Sequence, residues 1–506
     1  MTAAATGRLA RTLTPRAARV VFGDDADAGI DAELPYITTI DQAHVIMLAE
    51  RRLIRADQAI ALLREIESLR ADGFAPIRHR PAPRGVYLLY EGYLIDRLGA
   101  DVGGVLHTGR SRNDLKATMH QLRMRAVVAA TLGGLLRLQA VLLGRARSHR
   151  STVMAAYSQF QPSVPITYGY YLLGIAESLD RDIAGLVQAG QGLRECPLGA
   201  AGGAGTDVPI DAHRTASLLG FSLPAGHAGH AIASRDTLLR LMSAAVLTGL
   251  TLSRLGTDLQ LWSTPEFDLV GFRDDLVGSS SAMPQKRNPF LLEHIKGGAG
   301  ALIGAWTAAV SIVKNTPFGN SVEVGTEAVA QIWPGMHRLQ DMVQLAIPVV
   351  AGARPDQEGM VRDAHRGFTV ATAVANSLAG QGVPFRLAHT AVGGLITELI
   401  SEGVTSLADL PAGTVGDRLG RSLGRSVEIT AADLDPAAVA AATEFGGGPG
   451  TASFAEVHAD LAGRWSKQVR LLSGVADEWR AAVERRERAV RAVLGTAPTA
   501  TAGSRT

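Results

Sequence analysis

Apolar residues recur at helical spacing along most of the chain. Between positions 39 and 69, Ile40, Ala43, Met47, Leu53, Ile54, Ala61 and Leu62 fall near a 3.6-residue period, which predicts one or two amphipathic helices. Longer runs of helix formers at 115–147, 165–193, 234–261, 289–313 and 328–349 predict five long helices. Short β-branched alternation between tight turns, the mark of strands, is nearly absent. Five long helices joined by short punctuation imply an all-α fold built on a helical bundle. A long uncharged run, 297–313 between Lys296 and Lys314, is rich in Gly, Ala and Ser and includes Trp306. A membrane-spanning helix needs about 20 strongly apolar residues. This run is therefore expected to be a helix buried on all sides in a protein core, and no membrane partner is expected.

The punctuation divides the chain. A glycine-rich loop lies at 198–205, and a second loop opens at Gly278 and ends before Pro289. After Arg366 the pattern changes to shorter helices, with a Pro-Phe-Arg turn at 384–386. The division expected is an N-terminal helical domain (1–112), a central bundle (113–365), a C-terminal helical domain (366–495) and a disordered Ala/Thr/Gly/Ser tail (496–506). With 506 residues the chain has room for about three such units.

Charge narrows the function. Fifty Lys+Arg against 48 Asp+Glu leave a net charge of +2, without the basic excess of a dedicated nucleic-acid binder. The single cysteine, Cys196, excludes an intrachain disulfide and argues against a cysteine-based zinc site. It is expected to be a small buried hydrophobe. His227 and His230 lack a carboxylate partner in reach and read as structural. Arg8, Arg11 and Arg16 precede Gly23 with no unbroken apolar stretch, so no secretory signal is read and a cytoplasmic location is expected. Only Lys116, Lys286, Lys296, Lys314 and Lys467 are lysines, which makes each of them worth inspecting.

The sharpest chemistry lies in Gly278-Ser-Ser-Ser-Ala-Met-Pro-Gln-Lys-Arg-Asn-Pro289. Three hydroxyls, a lysine and an asparagine on one short loop can hold carboxylates and stabilise negative charge developing on them. The segment resembles the fumarase/aspartase superfamily signature Gly-Ser-Ser-x-Met-Pro-x-Lys-x-Asn-Pro, with Ser279 standing where the family has glycine. His107-Thr-Gly-Arg-Ser-Arg-Asn-Asp114 resembles the fingerprint of the argininosuccinate lyase branch. Pro197-Leu-Gly-Ala, Ser234-Arg-Asp236, Leu261-Trp-Ser-Thr-Pro-Glu-Phe267, Gly382-Val-Pro-Phe-Arg386 and Phe445-Gly-Gly-Gly-Pro-Gly-Thr-Ala452 agree with it, in order along the chain.

The resemblance implies an all-α homotetramer whose active sites are shared between subunits. It also implies a carbon–nitrogen lyase that releases fumarate without a cofactor or metal. In that chemistry a base takes the Cβ proton of a substituted succinate, an enediolate forms, and the substituent on Cα departs. The family's base falls on Ser280, with Ser281 and Ser279 in reserve. Lys286 and Asn288 would hold the carboxylate that becomes the enediolate. Ser111, Arg112 and Asn113 would hold succinyl carboxylates.

Two departures from the family point to a different substrate. Where it has Thr-His, this chain has Ser158-Gln159, and glutamine is neither acid nor base near pH 7. Glu293 stands where the family's glutamate backs that histidine, free to hydrogen-bond Gln159 or to be partly protonated if buried. His294 and His107 are alternative acids. The family's Tyr-x-Lys-x-x-Gln set, which grips the amino-acid end of argininosuccinate, falls on Asn320, Val322 and Gly325, and its Glu-Asp-Val-His becomes Arg84-Gly85-Val86-Tyr87. Losing a buried lysine–carboxylate pair typically costs about 2 kcal/mol or more. The expected activity is therefore elimination of another nitrogen leaving group from an N-substituted aspartate or related succinate, with better leaving groups favoured by the missing histidine. Argininosuccinate lyase proper, a silent structural paralogue and a cycloisomerase are the competing readings.

Overall fold

The computed structural model of the chain describes residues 13–23 and 26–495, so the tail at 496–506 lies outside the described residues. The 39–69 stretch resolves into α1 (Ala26–Glu50) and α2 (Ala56–Ala71), followed by α3 (Val86–Leu98). The long helices are α4 (Arg112–Ser148), α5 (Tyr168–Ala189), α6 (Asp236–Trp262), α7 (Phe290–Val313) and α8 (Ala328–Gly352). They form one bundle, in which α4 packs on α5 and α8, and α6 packs on α5, α7 and α8. Glycine sets two of these contacts. A Cβ on Gly298 of α7 would lie 2.7 Å from Met342 Cγ of α8, and one on Gly335 of α8 would lie 2.6 Å from Met242 Cε of α6. The missing side chains let neighbouring helices approach to native packing density.

The bundle has one apolar core, and α1–α3 with the start of α4 have a second, which also takes in the fully buried Cys196. Burial pushes the Cys196 thiol up to about 12, as suits an inert core residue. A third core lies within 370–434, formed by α9 (Ala371–Gly380), α10 (Phe385–Ser401), α11 (Ala412–Leu423) and their connections. The chain then departs from the shorter helices expected after Arg366. Its last helix, α12 (Thr451–Leu494), is 44 residues long. Phe454 and Leu461 of α12 enter the bundle core and Val490 enters the N-terminal core, so α12 ties those two cores together.

Two further expectations are corrected. Residues 153–167 form an antiparallel hairpin of β1 (Val153–Ser158) and β2 (Gln161–Thr167). Its Pro162 and Pro165 are tolerated because each strand of a two-stranded sheet has an outer edge. Pro165 thus lies in a strand, and α5 begins where Thr167 Oγ1 accepts the Tyr170 N–H at 3.0 Å. The second correction concerns α7, which is not buried on all sides. Leu292, Ile295, Ala299 and Leu302 face the bundle, whereas Gly300, Ile303, Gly304, Thr307 and Ser311 are exposed in the single chain. Leu247 and Leu250 of α6 are exposed too. By length and composition alone, α4, α6 and α7 are apolar enough to cross a membrane.

Asp182 on α5 is partly buried, and its Oδ2 has no hydrogen-bond partner among the described residues. Burial pushes its carboxyl up to about 6, against a hydrogen bond from Thr251. A folded pKa above the unfolded value means that the folded state holds the proton more tightly. Stability therefore falls as pH rises from about 4 to about 6. Asp182→Asn is expected to stabilise the protein by about 1–2 kcal/mol at pH 7.5, partial exposure reducing the full effect, and to give no gain at pH 4. Thermal unfolding at the two pH values measures this, and equal gains at both would refute it.

Candidate active site

The fingerprint segment turns into α4 through a capping box. Ser111 Oγ accepts the Asn113 N–H at 3.2 Å, and Asp114 Oδ1 accepts the Ser111 N–H at 3.0 Å. The other Asp114 oxygen accepts the Gly199 and Ala201 N–H groups at 2.9 and 2.8 Å. Gly199 and Ala201 have φ of +104° and +49°, which brings both amides onto one carboxylate. The glycine-rich loop is therefore a cradle for Asp114. Behind the segment, buried Arg110 pairs with buried Asp41, which also accepts the Tyr90 hydroxyl at 2.8 Å. His107 Nδ1 lies 3.0 Å from the Tyr87 hydroxyl and 3.1 Å from Glu91 Oε1, so its ring helps anchor the segment.

This scaffold brings together residues far apart in sequence. Asn320 Nδ2 donates to Asn113 Oδ1 at 3.0 Å, joining one of the rebuilt positions to the fingerprint. A Cβ on Gly325 would lie 3.2 Å from Asn320 Oδ1 and 3.7 Å from Arg235 Nη2. Gly325 thus leaves space that Asn320 and Arg235 take up. Arg235 is buried, donates to the Ile232 and Ser234 carbonyls, and has its guanidinium pulled down to about 10 by burial. His120 is buried 6.0 Å from the Trp333 ring, and burial together with the Arg235 and Lys116 charges pushes it down to about 3. It is neutral at pH 7 and is no substitute acid. Sequence reasoning passed over Arg235, His120 and Lys116 as site residues. The signals available were the Ser234-Arg-Asp236 triplet and the four-residue step from Arg112 to Lys116. Those two side chains line a cavity of about 750 Å³ that Thr326 also borders.

The signature loop is a hairpin. Strand β3 (Gly278–Ser279) pairs with β4 (Arg287–Asn288), and Arg287 anchors the stem on Asp274 and on the Phe272 carbonyl. Ser279 lies in extended strand outside the positive-φ residues, so the loss of glycine there costs no backbone strain. Ser280 Oγ accepts the Ala282 and Met283 N–H groups at 3.3 and 3.1 Å. Ser281 and Lys286 are exposed, and Asn288 is half-buried at the stem. Glu293, in the first turn of α7, is exposed and accepts a hydrogen bond from Gln260 at 3.1 Å. Within the single chain its partner is Gln260, and its carboxylate is exposed there. His294 is exposed and lies edge-on to Phe290.

Ser158 and Gln159 occupy the tip of the β1–β2 hairpin. Gln159 and Phe160 have φ of +52° and +61°, a left-handed pair that a two-residue hairpin turn requires. Non-glycine residues there cost about 1 kcal/mol each. Phe160 is 82% exposed. The tip thus presents Ser158, Gln159 and Phe160 at the end of the hairpin. Among the described residues, no hydrogen bond links the hairpin tip, the signature loop with Glu293, and the Arg112–Asn113–Asn320 group. Each of the three presents its polar side chains at the surface of the chain.

Comparison with known proteins agrees with this architecture. Residues 56–304 match the family model described as lyase, and 368–425 match that of the argininosuccinate lyase C-terminal region. The argininosuccinate lyase of Methanoculleus marisnigri is 36% identical over 413 residues, covering 81% of this chain and 83% of its own. That of Thermus thermophilus is 36% identical over 375 residues, covering 73% and 80%. A crystal structure of EDDS lyase in complex with formate superposes with a TM-score of 0.84 over 97% of both chains, at 25% identity. The chain belongs to the argininosuccinate lyase family of the fumarase/aspartase superfamily and is a carbon–nitrogen lyase.

Proposed function

We propose that this lyase eliminates a nitrogen leaving group from an N-substituted aspartate or related substituted succinate, releases fumarate, and does not take argininosuccinate as its main substrate. The observation that carries the reading is the rebuilt segment at 316–327. Asn320 is bonded to Asn113, Gly325 gives its space to Asn320 and Arg235, and no lysine remains there to meet the carboxylate of arginine. Ser111, Arg112 and Asn113 bind the succinyl carboxylates. Ser280 takes the Cβ proton, and the electron pair moves into the adjacent carboxylate, held by Lys286 and Asn288 as the enediolate. The Cα–N bond then breaks, the double bond of fumarate forms, and the nitrogen keeps the bonding pair and ends with one added proton. Gln159 and Ser158 hydrogen-bond the departing group without titrating, which favours leaving groups of low basicity.

Four copies complete the site. The three separated groups described above, and the exposed faces of α6 and α7, support assembly into a homotetramer. The α7 face mixes Gly300, Gly304, Thr307 and Ser311 with Ile303, which suits close helix packing better than contact with lipid. Light scattering should give about four times the 53.1 kDa chain mass. The activity test is fumarate absorbance with argininosuccinate and with other N-substituted aspartates. Slow or absent turnover of argininosuccinate with turnover of another member supports the reading. Ordinary enzyme rates on argininosuccinate would restore argininosuccinate lyase proper, and no fumarate from any substrate would favour a silent paralogue.

A further inference from the structure

We propose that Lys116, one helical turn from the succinate-binding Arg112, forms a subsite for a carboxylate carried by the leaving amine. The inference rests on the elimination proposed above and names its leaving-group class. Arg112 and Lys116 stand one helical turn apart on α4, so their side chains share a face. Both open into the cavity of about 750 Å³, which is also lined by the helix Pro15–Phe22, the 79–85 loop and the start of α3. Thr326, from the rebuilt segment, borders the same space.

The lining is predominantly basic. Arg19, Arg80, Arg84, Arg112 and Lys116 face two acids among the described residues, Asp27 and Glu33, and Asp27 is already paired with His79 at 2.7 Å. Among the described residues, neither Arg112 nor Lys116 has a carboxylate within ion-pair distance. Like charges one turn apart repel, and a half-buried ammonium with no counter-charge is costly. An anionic ligand relieves both. The succinyl half of the substrate occupies Arg112 and Asn113, so the second anion at Lys116 belongs to the leaving group.

The test compares pairs that differ by one carboxylate, N-(4-carboxyphenyl)-L-aspartate against N-phenyl-L-aspartate, and N-(2-carboxyethyl)-L-aspartate against N-propyl-L-aspartate. Fumarate release gives kcat/KM for each, and calorimetry on the Ser280→Ala protein gives binding without turnover. The carboxylated member of at least one pair should bind at least tenfold tighter. Lys116→Met should reduce that preference about tenfold, and Lys116→Arg should restore most of it. No preference in the native protein, or a preference unchanged in Lys116→Met, overturns the subsite. A charge preference in binding with no fumarate formed keeps the subsite and refutes the proposed reaction, whereas turnover without a charge preference does the reverse.

Discussion

Ser280→Ala is expected to lower kcat for fumarate release about a hundred- to ten-thousandfold and to leave the unfolding temperature almost unchanged. A positioned base contributes about 10²–10⁴-fold to proton transfer. Two backbone N–H groups, from Ala282 and Met283, point at Ser280 Oγ at 3.3 and 3.1 Å. The same donors that cap the turn stabilise negative charge on that oxygen, which is what a serine needs in order to act as a base. Among the described residues neither neighbouring hydroxyl accepts such a pair, and Ser281 is exposed on the loop. The loop is solvated, so the two amides freed by the substitution turn to water at a cost below about 1 kcal/mol. Steady-state kinetics on the alanine variants of Ser279, Ser280 and Ser281 decide the assignment. A larger loss in Ser281→Ala than in Ser280→Ala would move the base to Ser281.

The largest effect on stability is expected from Asp114→Ala, a loss of about 3–5 kcal/mol. The side chain is fully buried and accepts three backbone N–H groups, those of Ser111, Gly199 and Ala201. Each buried donor left without an acceptor costs about 1–3 kcal/mol. Burial pushes the Asp114 carboxyl up, against those three amides and the Arg110 charge. Alanine would also release the 198–205 loop from the start of α4 and with it the placement of Arg112 and Asn113. Activity should therefore fall together with stability. Urea unfolding measures the first effect, and a change below 1 kcal/mol would mean that the cradle is not what fixes this turn.

Much of the fold was legible along the chain because it is local. Helices α4, α6, α7 and α8 begin within about three residues of where apolar spacing and punctuation place them. The hairpin at 153–167 was not legible, because its prolines read as a helix start and its turn uses Gln159 and Phe160 in a conformation usually left to glycine or asparagine. Helix α12 was missed for a different reason. Few of its residues are buried, and those few are shared between two cores, so it carries no continuous apolar stripe.

The candidate site divides in the same way. Ser111, Arg112, Asn113, Ser280, Lys286 and Asn288 lie in contiguous motifs, and neighbours in sequence are enough to single them out. The roles of Lys116, Arg235 and Glu293 depend on what faces them, which no local pattern encodes. Helical pitch turns Lys116 into the same cavity as Arg112. A glycine at 325 opens the space beside Arg235, ninety positions away in sequence. Within the single chain Gln260, on the neighbouring helix, donates to the Glu293 carboxylate, for which the sequence offered Gln159 as one possible partner. Adjacent residues alone point to most of the long helices and to the family, because backbone propensity and motif identity are local properties. Only the tertiary structure decided where charge accumulates and which polar groups meet, because those depend on distances across the bundle that sequence separation does not measure.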